Sequence, residues 1–186
     1  VIGNPPYIQI QTMSKSIKDN YKNAGFKSFA STGDIYQLFY EKSLNLLDKT
    51  GVASLITSNK WMRAGYGVST REYFYKKAYI FELIDLNANW FESADVDTNI
   101  IMFSKQKEKQ DKIKSYNIKL CDSILDKKYS IKEEYFIYPD ESAREWIILN
   151  NIEKSILDKI KTFGKELKKW NVVINSGIKT GLNDVF

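Results

Sequence analysis

The 186-residue sequence predicts an α/β fold built on a mostly parallel sheet, and two observations carry that prediction. Strand-length apolar runs at Val1–Gly3, Val52–Ile56 and Ile80–Leu86 alternate with helix-length amphipathic patterns, the spacing of β-α-β units. Polar or turn-forming residues follow each run, where open α/β sheets place their sites. A fourth run, Thr98–Phe103, follows the third after a short link and permits an antiparallel pair at the sheet edge.

Val1-Ile2-Gly3 reads as the end of a buried strand, stopped by Asn4-Pro5-Pro6-Tyr7. Two consecutive prolines fix φ and remove two backbone donors. The resulting rigid loop offers an amide, carbonyls free of competing N–H groups and an aromatic ring. That set suits gripping an amino group on a flat ring; a Pro-Pro turn with a tyrosine packed over it is an equal reading at this point. Residues 8–33 read as a polar loop mixing Lys15, Lys18, Lys22 and Lys27 with Tyr21, Phe26 and Phe29, either a nucleic-acid contact or a surface loop with aromatic anchors. Asp34, with Gln37 three residues on, predicts an N-cap and a helix burying Ile35, Leu38, Phe39, Leu46 and Leu47, stopped at Gly51.

Val52–Ile56 then reads as a buried strand ending in Thr57-Ser58-Asn59, and Gly65-Tyr66-Gly67 as a flexible turn. Ser69 and Glu72 predict a capping box for a helix to about Ala78. Asn87–Glu92 is a loop rich in turn formers and aromatics, and residues 105–119 are charged. Short strand-like pieces follow at Tyr116–Leu120 and Tyr135–Tyr138, with an apolar run at Trp146–Leu149. Residues 151–163 predict a helix with Ile152, Ile156, Leu157, Ile160 and Phe163 on one stripe. The glycines and polar groups of Ser176–Asp184 read as the opening of a new module. The expected partition is 1–104, 105–149 (an insertion or linker with short strands) and 150–186.

Composition narrows the chemistry. There is no histidine, and Cys121 is the single cysteine. His/Cys zinc sites, Ser-His-Asp triads and internal disulfides are excluded within this stretch, so no metal site is expected. A lone cysteine fits a reducing cytoplasm, and no run reaches the roughly 18 apolar residues that span a bilayer. The charge of +5, from 28 Lys and Arg against 23 Asp and Glu, suits a polyanionic partner.

In order, these pieces resemble the motifs of amino-DNA methyltransferases. Gly3-Asn4-Pro5-Pro6-Tyr7 resembles the catalytic motif, Gly33–Phe39 the next, Thr57–Trp61 the following one, and Trp90-Phe91-Glu92 the loop before the last strand. Gly177–Asn183 is similar to the entry into a target-recognition domain. The order is similar to N6-adenine methyltransferases fused or linked to type II restriction enzymes. The resemblance implies the C-terminal half of a Rossmann-like S-adenosylmethionine-dependent sheet, followed by the start of a second domain. It also implies double-stranded DNA as partner and a fused or associated nuclease. Asn-Pro-Pro-Tyr also occurs in methyltransferases acting on protein glutamine or RNA, and a non-catalytic nucleic-acid-binding fragment is a further alternative.

The resemblance implies roles by position. Asn4, Pro5, Pro6 and Tyr7 form the catalytic loop, with Asn4 and Pro5 accepting from the exocyclic amine. Tyr7 and Phe91 stack on a base flipped from the duplex. Phe39 packs near the cofactor's adenine, a helix-core role being equally consistent. Apart from the resemblance, Lys60 and Arg63 are candidates for phosphate contact, with solvated surface charge the default reading. The glycine-rich cofactor loop of the family is expected upstream of Val1, which makes the stretch alone inactive.

Overall fold

A computed structural model describes residues 1–86, 97–105, 108–118 and 134–173. Strands β1 (Ile2–Gly3), β2 (Val52–Ser58), β3 (Ala78–Leu86), β4 (Thr98–Lys105), β5 (Ile113–Ile118) and β6 (Tyr135–Ile137) form one sheet in the order β1-β2-β4-β3-β5-β6. β1 is parallel to β2 and β3 to β5, whereas β4 is antiparallel to both β2 and β3, and β6 is antiparallel to β5. β1, β2, β3 and β5 therefore point the same way and end on one edge of the sheet.

The α/β class holds, with two corrections. The antiparallel strand is interior rather than at the edge: β4 inserts between β2 and β3, pairing Ser58 with Thr98 on one side and Leu86 with Thr98 on the other. That position explains why Ile101 and Phe103 are fully buried. β1, in contrast, is not buried. It is a two-residue strand at the end of the sheet, with Ile2 91% exposed.

β5 and β6 extend the same sheet that residues 1–104 begin. The β3–β4 ladder shifts register between Ile80 and Glu82. The residue skipped is Phe81; beside it the Gln110 amide accepts from the Ile80 N–H at 2.9 Å and donates to the Ile80 carbonyl at 2.7 Å.

Helix α1 (Lys15–Asn23) lies inside the stretch read as a loop. Ser14 caps it, accepting from the Ile17 N–H, but none of its residues is buried, so its apolar signal is weak. Helix α2 (Tyr36–Leu46) buries Leu38, and Leu47 just beyond it, as expected, but its core-facing stripe is otherwise shifted. Tyr36, Tyr40, Leu44 and then Leu47 enter the core, while Phe39 and Leu46 are exposed. Helix α3 (Val68–Lys77) has no side-chain cap. Ser69 donates instead to the Ser28 carbonyl at 3.0 Å, and Glu72 pairs with Lys76 one turn on.

Contacts divide the chain into two compact units, Val1–Asn151 and Ile152–Phe186. Helix α4 (Asn151–Phe163) has the predicted periodicity, with Ile152, Ile156, Ile160 and Phe163 exposed. No helix among the described residues is long and apolar enough to cross a membrane.

Candidate active site at the carboxyl edge of the sheet

Asn4–Tyr7 leaves the end of β1, and Asn59–Arg63 leaves the end of β2, on the same sheet edge. Within the first loop Pro5 is buried and Asn4 is exposed. The proline anchors the turn, and the Asn4 side chain stands at the surface.

Tyr7 is half-buried and held at two points. Its hydroxyl donates to the Ile56 carbonyl at 3.2 Å, and its ring meets Tyr36 edge-on, with centroids 5.9 Å apart and planes at 78°, a favoured aromatic geometry. Burial pushes the Tyr7 hydroxyl up to about 12, so it remains a donor at neutral pH. The backbone beyond Tyr7 is stitched to the start of α2. Ile35 N–H donates to the Ile8 carbonyl at 2.9 Å, and Ile10 N–H to the Gly33 carbonyl at 2.8 Å.

Asp34 is not the N-cap that the sequence predicts. The Gln37 side chain accepts from the Asp34 N–H at 3.1 Å, which completes half of a capping box. Ile35 holds the cap position without a side-chain bond. The Asp34 carboxylate instead faces Tyr66, Lys60 and Tyr36; burial raises its pKa, and those three groups oppose the rise. The Tyr36 and Tyr66 hydroxyls lie 3.4 Å apart. Burial holds the Tyr66 proton up to about 12 and that of Tyr36 higher still.

A second polar chain starts beside Tyr7. Tyr40 bonds to Thr57, Thr57 donates to Asn99 Oδ1 at 3.1 Å, and Trp61 Nε1 donates to the same oxygen at 3.3 Å. Because the Thr57 proton goes to Asn99, Tyr40 is the donor to Thr57. Asn59 Nδ2 donates to Asp85 at 2.8 Å.

Among the positions read from sequence, Asn4, Pro5, Pro6, Tyr7 and Lys60 gather at this edge, and Arg63 faces the buried Asp85 there. Phe39 stands 41% exposed on α2, so a helix-core role is excluded. Phe91, Cys121 and the Gly177–Asn183 tail lie outside the described residues. Sequence reasoning missed Tyr36, Tyr66 and the environment of Asp34. The available signal was Tyr36 and Tyr40, one helical turn apart, because buried tyrosines need hydroxyl partners.

Residues 1–91 match the family described as Eco57I restriction-modification methylase. Over that stretch the chain is similar to this family. The chain is 26% identical over 195 residues to the type II restriction enzyme and methyltransferase RM.Eco57I of Escherichia coli, covering 100% of this chain and 19% of that protein. It is 30% identical over 92 residues to the type II methyltransferase M.PaeR7I of Pseudomonas aeruginosa, covering 47% of this chain and 16% of the relative. The chain therefore spans about a fifth or less of the length of these relatives.

Two solved structures share its fold. One is a nuclease-deletion mutant of the Type ISP restriction-modification enzyme LlaGI in complex with a DNA substrate mimic. Its TM-score is 0.54 at 22% identity, over 78% of this chain and 15% of that one. The other is a modification subunit of a putative type I restriction enzyme from Vibrio vulnificus YJ016. Its TM-score is 0.51 at 20% identity, over 66% of this chain and 25% of that one.

Proposed function

We propose that this chain carries the acceptor-binding half of a site-specific DNA methyltransferase that methylates adenine N6, using S-adenosylmethionine, within a restriction-modification system. The observation that carries the reading is the Asn4–Tyr7 loop: an exposed amide beside an anchored proline and a pinned, half-open aromatic ring, at the carboxyl edge of the sheet. The relatives' names support methyl transfer, and the naming of RM.Eco57I as both restriction enzyme and methyltransferase supports an attached nuclease.

The lone pair of an exocyclic amine on adenine is delocalised into the ring. The Asn4 side-chain carbonyl and the Pro5 carbonyl accept its two N–H bonds and turn the lone pair outward. Tyr7 stacks on the flipped base, a contact worth about 1–3 kcal/mol. When bound, S-adenosylmethionine supplies an electrophilic sulfonium methyl. Phe39 fits its adenine, since it is an exposed aromatic on a helix whose other aromatics are buried. The protein's contribution is alignment.

The test is methyl transfer by the intact protein on duplex DNA, with the product nucleoside identified by mass spectrometry and its position mapped. N6-methyladenine is expected. Asn4→Ala should lower turnover on the order of 100-fold, the scale seen when one fixed hydrogen-bonding group is removed from an active site, with duplex affinity retained. Methyl groups found only on cytosine, RNA or protein glutamine would overturn the proposal.

A further inference from the structure

We infer that Tyr36 is a positioning residue for Tyr7, and that Tyr66 and Asp34 hold Tyr36 in place, so that Tyr7 presents its free face to the acceptor base at a fixed tilt. The inference rests on the reading of Tyr7 as the stacking ring. Tyr7 has two restraints, its hydroxyl bond to the Ile56 carbonyl and the edge of Tyr36 against its ring. The first fixes the tip of the ring, and the second limits rotation about the bond axis.

Tyr36 is completely buried. Its ring packs edge-on against Tyr40 at 6.0 Å on one side and against Tyr7 on the other. Phenylalanine would fill that space without desolvating a hydroxyl, so a role in packing alone does not account for the oxygen. The oxygen contacts the Tyr66 hydroxyl, and both hydroxyls face the Asp34 carboxylate. A carboxylate only accepts, so a charged Asp34 favours tyrosine protons turned toward it.

The backbone reinforces this arrangement. Gln9 and Asp34 form a β-bridge, and Ile35 N–H bonds to the Ile8 carbonyl. The residues just after Tyr7 are thus joined to those just before Tyr36. A Cβ at Gly33 would lie 2.1 Å from Gln37 Oε1, so a side chain there would push the Gln37 amide away from the Asp34 N–H. The backbones that carry the two rings are thus held at a fixed spacing.

The test is a double-mutant cycle on the single-turnover methyl-transfer rate, measured in the intact protein on a duplex containing the adenine it methylates. Tyr36→Phe keeps the ring and removes the oxygen. Its rate should fall about two- to tenfold, the range for losing one neutral hydrogen bond, with S-adenosylhomocysteine affinity unchanged and the protein still folded at the assay temperature. In a Tyr7→Ala background the same substitution should have no further effect, because the ring it positions is gone.

Tyr66→Phe and Asp34→Asn, at half-exposed positions, provide the same readout if Tyr36→Phe fails to fold. Unchanged rates in these variants, or losses that multiply fully with that of Tyr7→Ala, would overturn the inference. A Tyr7→Ala variant as fast as wild type would overturn the stacking reading itself, a result separate from any Tyr36 effect.

Discussion

Asp85 ends strand β3 almost fully buried, accepting from Asn59 Nδ2 and facing Arg63 and Asp97. Burial raises its pKa; the Asn59 bond and the Arg63 charge pull it down, and Asp97 adds to the rise. A carboxyl whose pKa is raised by folding binds more protons folded than unfolded between the two values. Its charge therefore costs stability progressively as pH rises through the folded pKa. Asp85→Asn keeps an acceptor for Asn59 and removes the charge. It should raise the unfolding midpoint at pH 7–8 by roughly 2–4 °C, corresponding to about 1 kcal/mol in a chain of this size. The gain should vanish below about pH 4, the ordinary carboxylate range, where Asp85 is protonated in both states. Melting curves of both proteins across that range decide the point, and a neutral-pH loss would show that the charge itself is needed.

The segment between β2 and α3 shows how short elements are placed. Residues Lys60–Met62 and Gly65–Gly67 are single 3-10 turns with little stability of their own. Buried Arg71 organises them, donating to the carbonyls of Trp61 at 2.5 Å, Ala64 at 3.1 Å and Ala143 at 2.9 Å. Gly67 lies against the same carbonyl, and a Cβ there would sit 1.8 Å from the Trp61 oxygen. Gly67→Ala should therefore destabilise by more than about 2 kcal/mol, since backbone rather than a pliable side chain must move. Chemical denaturation measures it, and a near-neutral result would mean that the turn repacks easily. None of this was legible in the sequence, where Gly65-Tyr66-Gly67 read as a flexible turn. The rigidity comes from Arg71 and from Tyr66 reaching Tyr36, contacts between residues distant along the chain. Strand positions were legible because apolar runs report burial directly. The place of β4 was not, since its apolar run is the same whether it lies inside the sheet or at its edge. The phase of α2 was misread because the tyrosines that face the core were given less weight than leucine and phenylalanine. The Asn4–Tyr7 loop was legible because two prolines constrain the backbone without tertiary help.

At the scale of the molecule, the question is whether the excess of positive charge serves the sheet edge where the candidate site lies. Of the basic groups there, Lys60 faces the Asp34 carboxylate and Arg63 faces Asp85, so each is partly neutralised within the protein. Both side chains are nevertheless exposed, on the loop that follows β2 and beside the one that carries Tyr7. A duplex whose base is turned toward Tyr7 brings its phosphates to this edge, and each phosphate that a cation neutralises releases condensed counterions. The logarithm of the binding constant then falls with the logarithm of salt concentration, with a slope of about 0.9 per contact. Lys60→Gln and Arg63→Gln in the intact protein should each weaken duplex binding similarly across sequences and reduce that slope by about 0.9. Titrations at several salt concentrations separate this from simple solvation, for which affinity could change while the slope did not. A variant with a reduced slope and an unchanged single-turnover rate at saturating DNA would assign the side chain to phosphate contact, because a group that positions the base would slow the chemical step as well.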